Sequence, residues 1–302
     1  MLKERKFIKI TLFFLIISFS NNLFAKKAAI IIDFDTKETL FEINADTLNF
    51  PASLTKIMTL YITFDYLHKN KLSLETNMEV SHIAASRSPS KLYLEEGSFI
   101  SVENAIMALI VKSANDVATV VAEHISGTER EFAKLMTNYA RDIGMSKTTF
   151  KNASGLPNRA QMTTARDISK LSYNLISNFP KEYKLFKTEK FVWKGKTYKT
   201  HNHLMKSYEG ADGIKTGYIS ASGFQLAFSA IRNNKRLIGI YFGGDTGKQR
   251  NQRLSFLMNK AFKELNIGST NKITKKETSK IKKSEYKIVV GTFKYKKNAE
   301  KH

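Results

Sequence analysis

Strand-like segments stand at both ends of this 302-residue chain, and helix-patterned segments fill the space between them. Residues 28–46 read as a hairpin: Ala29-Ile30-Ile31-Ile32-Asp33-Phe34, a turn at Asp35-Thr36-Lys37-Glu38, then Thr39-Leu40-Phe41-Glu42-Ile43. Strand patterns return at 191–198, 213–218, 224–232 and 236–242. Apolar residues at helical spacing mark 57–67, 102–125 (broken near 112–116), 129–143 and 165–177, and a last helix is expected at 249–265. A sheet made from such a chain has to draw its strands from distant segments and leave the helices as an inserted lobe. The expected fold class is therefore α+β, a mostly antiparallel sheet flanked by helices with an inserted all-helical lobe. A functional site is expected where lobe and sheet meet.

Three short motifs fall at such places: Ser53-Leu54-Thr55-Lys56, Ser113-Ala114-Asn115 and Lys215-Thr216-Gly217. A Ser followed three residues later by a Lys also occurs at Ser88, Ser269, Ser279 and Ser284, so context has to choose among them. Only Ser53 lies behind the extended hairpin and in front of a long apolar helix, which puts it at a helix N-terminus. A serine hydroxyl is a weak nucleophile until a neighbouring base takes its proton. Lys56 shares a helix face with Ser53 at i, i+3, and a lysine desolvated beside other cations is drawn down toward the working range of a base. Ser113 offers a hydroxyl to relay a proton to the leaving group, and Asn115 an amide to hold the substrate backbone. Lys215 adds positive potential to a strand whose edge can pair with an extended peptide, Thr216 offers its hydroxyl to a substrate carboxylate, and Gly217 permits close backbone approach.

The three motifs, in this order, resemble those of the penicillin-binding proteins and class A β-lactamases. The closer resemblance is to the low-molecular-mass D-alanyl-D-alanine carboxypeptidases. It is carried also by Asn49-Phe50-Pro51-Ala52, Ser90-Lys91-Leu92, Asn152-Ala153-Ser154-Gly155-Leu156-Pro157, Thr163-Thr164-Ala165-Arg166-Asp167 and Lys235-Arg236-Leu237-Ile238-Gly239. The resemblance spans about residues 26–267 and implies a β-lactamase/transpeptidase-like fold. It implies Ser53 as acyl-ester nucleophile, Lys56 as proton acceptor, and Ser113 and Asn115 as further catalytic residues. Substrate binding falls to Lys215, Thr216, Gly217, Tyr218 and Arg236, with Arg236 reaching the terminal carboxylate. Oxyanion stabilisation is expected from the backbone N–H groups of Ser53 and Tyr218. The substrate and ligand classes implied are peptidoglycan stem peptides and β-lactams, with no cofactor. Some relatives carry His where this chain has Ser154 and Tyr218, which leaves the rate of deacylation open.

Composition limits the alternatives. The first 25 residues carry Lys3, Arg5, Lys6 and Lys9, an apolar run over 10–19, and end in Leu23-Phe24-Ala25, the layout of a signal peptide. Export to the periplasm or cell envelope is the expectation. An uncleaved anchor remains open, since Leu23 suits the cleavage site poorly. The chain has no cysteine, hence neither a disulfide nor a thiolate-bound metal. Of the net charge of +22, residues 269–302 supply 11 Lys against 3 Glu. For an exported protein the polyanion that such a tail meets is the envelope or a membrane surface rather than nucleic acid. We divide the chain into a signal peptide (1–25), a carboxypeptidase domain (26–268), a basic linker (269–284) and a partial segment (285–302). In the last, Tyr286-Lys287-Ile288-Val289-Val290-Gly291-Thr292-Phe293 and Asn298-Ala299-Glu300 resemble the start of a SPOR domain, a module that binds denuded peptidoglycan glycan. Some 17 residues are too few for such a module to bury a core.

Three rivals follow from the same residues. A β-lactamase activates its deacylating water with a Glu, and the stretch 152–167 contains none. A D,D-endopeptidase uses the same site on cross-linked peptides. A catalytically idle peptidoglycan-binding protein is the rival of another class, against which the intact Lys56, Ser113, Asn115 and Lys215 count. His201-Asn202-His203 lacks a third ligand at suitable spacing, so no metal site is expected.

Overall fold

The computed structural model describes residues 27–267. The signal peptide, the basic linker and the SPOR-like segment expected at 1–25, 269–284 and 285–302 lie outside the described residues. In chain order the elements are β1 (Ala28–Asp33), β2 (Thr39–Ile43), a one-turn 3-10 helix (Ala52–Leu54), α1 (Thr55–His68), β3 (Asn77–Glu79), α2 (His82–Ala85), β4 (Phe99–Ser101), α3 (Val102–Met107) and a π-helical turn (Ala108–Lys112). There follow α4 (Asn115–Ser126), α5 (Glu129–Asp142), α6 (Ala165–Asn178), a 3-10 turn (Glu182–Lys187), β5 (Lys190–Trp193), β6 (Lys196–Lys199), α7 (Leu204–Ser207), β7 (Ala211–Ile219), β8 (Gly223–Arg232), β9 (Lys235–Gly244) and α8 (Gly247–Glu264).

The main sheet has the order β2-β1-β9-β8-β7, and every neighbouring pair is antiparallel. Ile31 of β1 lies opposite Gly239 of β9, so the first strand joins one of the last, as the strand-helix-strand layout requires. Alternation explains why these strands read as near-continuous apolar runs: both faces are covered. Ile30, Ile32, Ile238, Ile240 and Phe242 belong to the larger core, on the face of the sheet covered by α6. Ile31, Leu226, Phe228, Leu237 and Tyr241 face Leu254, Met258 and Phe262 of α8. Strand β7 is one edge of the sheet and β2 the other.

Helix α1 is buried from Thr55 to Phe64, all but its last turn, so it is the central strut of the domain rather than an amphipathic surface helix. That environment makes an all-round apolar helix stable. By contrast α5 and α6 each present one apolar stripe, and both begin on a threonine side chain: Thr128 accepts from Glu131 N and Thr164 from Asp167 N. One strand expectation is corrected. Residues 191–198 do not form a single strand but the hairpin β5–β6, because Lys194 (φ 45°) and Gly195 (φ 75°) make a two-residue turn. Positive φ at both central positions matches the twist of paired strands. No described helix is long and apolar enough to cross a membrane.

Candidate active site

The nucleophile turn is held from three sides. Ahead of it, Phe50 N donates to Ser222 Oγ (2.9 Å) and Phe50 O accepts from Gln225 Nε2 (2.7 Å), which ties the segment to β8. Beside it runs β7: a Cβ added to Gly217 would lie 3.4 Å from Ser53 N and 3.0 Å from Gln225 Oε1. On the far side, Gly155 has φ +87° and its hydrogen points at Ala52 O, where a Cβ would stand only 1.8 Å away. Ser53 therefore enters α1 on a wound, tightly packed turn, with Ala52 itself at φ 44°.

Ser53 does not cap the helix. Its Oγ accepts from Lys56 Nζ at 3.3 Å, and no side chain caps either helical segment at this junction. Lys56 is fully buried; its ammonium also donates to Asn115 Oδ1 (2.7 Å) and to the Ser154 carbonyl (2.6 Å), so all three donors are used. Burial, reinforced by the charge of Lys215, holds Lys56 well below the usual lysine range, against the opposing pull of Asp116 and Glu129. Lys215 is itself brought down to about 7, by burial first and then by Arg250. A lysine so placed gives up its proton more readily than one in water, as a general base must.

Ser113 ends the π-helical turn in the left-handed region (φ 61°, ψ 40°), where a serine is strained. Its Oγ is buried without a hydrogen-bond partner. A strained residue holding an unspent hydroxyl at a cavity wall is a sign of function rather than of stability. Asn115, two residues on, is anchored on both amide atoms: Oδ1 by Lys56 and Nδ2 by the Ser88 carbonyl (2.9 Å). In the free protein it thus orients the lysine, leaving one N–H for a substrate backbone.

These side chains meet in a cavity of about 600 Å³ whose walls include Ser53, Ser113, Asn115, Thr216, Gly217 and Tyr218. Tyr218 is largely exposed and leans on Phe224 (ring centroids 4.3 Å apart), forming a lip. Among the described residues no Asp or Glu lines the cavity. Among the described residues no cluster fit to hold a metal ion exists; His201 and His203 are simply part of the wall. Asp167 buttresses at a distance, accepting from Lys147 N (2.9 Å) and Thr148 Oγ1 (2.8 Å) below the Asn49–Thr163 bridge.

Arg236 is corrected. It stands opposite Ile231 on β8, whereas Thr216 stands opposite Leu226. Five residues of strand separate the two positions, roughly 17 Å. Its guanidinium is taken up by Asp212 Oδ2 and Ser229 Oγ, each at 2.7 Å, and packs over Tyr183 and Phe34. The cation that does line the cavity is Arg250, in the first turn of α8. It is 4% exposed, donates to the Gln225 carbonyl (2.9 Å) and to Asn251 Oδ1, and faces no carboxylate; burial lowers it to about 10, so it stays charged. The first turn of α8 has Lys248 and Arg250 and no acidic residue. Cations there oppose the helix dipole, an oddity by which the sequence could have pointed to Arg250, though motif reading passed it over.

Comparison with known proteins agrees with this geometry. The family model described as D-alanyl-D-alanine carboxypeptidase, peptidase S11, matches residues 18–246. The chain is 33% identical over 275 residues to D-alanyl-D-alanine carboxypeptidase DacF of Bacillus subtilis, covering 87% of this chain and 69% of that protein. It is 34% identical to D-alanyl-D-alanine carboxypeptidase DacC of Escherichia coli over 74% of this chain and 58% of that protein. Among solved structures, DacD from Francisella tularensis superimposes with a TM-score of 0.75 at 30% identity, covering 76% of this chain and 68% of that one. Penicillin-binding protein D2 from Listeria monocytogenes, in its ampicillin-bound form, gives 0.72 at 31% identity, covering 80% of this chain and 98% of that one. Motifs, fold and site geometry converge with these likenesses: the chain belongs to the D-alanyl-D-alanine carboxypeptidase family of peptidase S11.

Proposed function

We propose that this protein removes the terminal D-Ala from peptidoglycan stem peptides through a Ser53 acyl-enzyme, and that β-lactams acylate the same serine. The observation that carries this reading is the fully buried Lys56 amine 3.3 Å from Ser53 Oγ, at a cavity on whose walls the described residues place no carboxylate. The neutral amine takes the Ser53 proton as Oγ attacks the penultimate D-Ala carbonyl. The backbone N–H groups of Ser53 and Tyr218 receive the oxyanion, and Ser113 passes a proton to the departing amine. Water then releases the shortened peptide. The substrate strand adds along the edge of β7. Lys215 and Arg250 give the cavity a positive potential for the substrate's terminal carboxylate, with the Thr216 hydroxyl beside them. This substrate sets the protein's work in the cell envelope. Recognition of denuded glycan by residues 285–302 is a separate expectation, resting on their sequence alone.

The test is to incubate the protein with a fluorescent penicillin and compare Ser53→Ala. Labelling of the native chain and its loss in the variant is expected; equal labelling of both overturns the nucleophile. Release of D-Ala from a pentapeptide should exceed cleavage of a cross-linked dimer, and the reverse order replaces this reading with that of an endopeptidase.

A further inference from the structure

Behind the catalytic cavity, a carboxylate that does not itself line it bonds to the loop 152–157, part of which forms the wall. Glu129 opens α5 and its side chain is only 11% exposed. One oxygen pairs with Arg87 Nη2; the other accepts from Ala153 N at 3.0 Å. The Ala153 carbonyl is held at 2.7 Å by Thr59 Oγ1, one turn along α1 from Lys56. The next carbonyl, that of Ser154, is the one that receives the Lys56 ammonium at 2.6 Å. Arg87 in turn donates to Thr119 Oγ1 (3.0 Å) and precedes Ser88, whose carbonyl accepts from Asn115 Nδ2. The pair therefore ties the loop before Ser90 and the loop 152–157 to the helices that carry Lys56 and Asn115.

We propose that Glu129, with Arg87, is a positioning residue for acyl transfer: it holds Ala153 by its backbone N–H so that the carbonyl of the next residue, Ser154, meets the Lys56 amine. This rests on the Ser53 acyl-enzyme reading above. Three charged groups face Lys56 from the surrounding elements: Lys215 from β7, Asp116 from α4 and Glu129 from α5. Asp116 is buried and bonded to the backbone N–H groups of Leu92 and Leu94, and Arg87 is the cation that offsets Glu129. Glu129 thus fixes both where the Lys56 amine points and how readily it holds its proton.

The experiment measures the second-order rate of acylation by a fluorescent penicillin from pH 5 to 10 for the native chain, Glu129→Gln, Arg87→Gln and, as the control for the parent reading, Ser53→Ala. Glu129→Gln removes a negative charge, so Lys56 loses its proton more easily and the acid limb of the profile moves to lower pH, by about half a unit, or roughly threefold in the neutral fraction. Arg87→Gln removes the offsetting cation, and the limb moves to higher pH. Plateau rates in both fall on the order of tenfold, the effect of loosening one charge-assisted hydrogen bond. Opposite shifts support the proposal, and where one variant does not fold, a shift of the other in its stated direction does the same. Superimposable pH profiles overturn it, including the case where rates fall only because α5 is weakened at its first turn. A native chain without label, or label kept by Ser53→Ala, overturns the parent reading and this inference with it.

Discussion

Lys215→Met should make this protein more stable and less active, with a stability gain that fades as pH rises. Lys215 is 3% exposed, and its amine has only one hydrogen bond, to the Thr216 carbonyl at 3.1 Å. Its proton is held to about 7 in the fold against 10.5 in the unfolded chain. Because the folded value lies below the unfolded one, the unfolded chain binds more protons between these limits, and stability rises with pH across that window. Below pH 7 both states are charged and the fold carries the whole burial cost. The difference of about 3.5 units sets an upper bound of about 5 kcal/mol on that cost. Between pH 7 and 10.5 it shrinks by about 1.4 kcal/mol per unit, and it is gone above 10.5. Methionine fills nearly the same volume and gives up one hydrogen bond of about 1 kcal/mol. The net gain at pH 6 should then be about 2–4 kcal/mol, falling to none or a slight loss at pH 10.5. Urea unfolding at pH 6, 8 and 10.5, at constant ionic strength, measures it directly. A variant that is less stable at pH 6, or whose difference does not vary with pH, refutes the reasoning.

Two further variants probe the site. Arg250→Gln should narrow the preference for a D-Ala-D-Ala substrate with a free carboxylate over its C-terminal amide by 10- to 100-fold, the worth of one charge-assisted hydrogen bond; kcat/KM on the two substrates checks it, and an unchanged ratio removes Arg250 from carboxylate binding. Gly155→Ala drives a Cβ into Ala52 O from a φ of +87°; a destabilisation of about 2–4 kcal/mol in thermal unfolding is expected, together with slower Ser53 acylation because the nucleophile turn has to move.

Much of the site was legible in sequence because its closest partners are local or repetitive in pattern. Ser53 and Lys56 lie one helical turn apart, so their meeting needs only α1 to form. Ser113 and Asn115 were marked by the break in an otherwise helical stretch, and that break is the left-handed Ser113 itself. Arg236 and Arg250 show where this kind of reading stops. Both lie near the ends of late elements, and which one reaches the cavity depends on the register of β7, β8 and β9, which no local pattern encodes. Glu129 was hidden for a similar reason: at the start of α5 it looks like an ordinary first-turn acid, and its bond to Ala153 N exists only once the two loops are packed. Lys194-Gly195 was read through as strand because its flanks keep strand character on both sides, while the turn lies in the backbone dihedrals.

The pairing of β1 with β9 has a kinetic consequence. Ile31 finds Gly239 only after nearly the whole domain has been synthesised, and β9 in turn carries β8 and the motif-bearing edge strand β7. Contacts so far apart in sequence are closed late and slowly. Until then the Ser53 turn has no β7 beside it and Lys56 no dry interior. Acylating power should therefore emerge in one step near the end of folding, and a penicillin label would report complete domains while passing over partly folded ones.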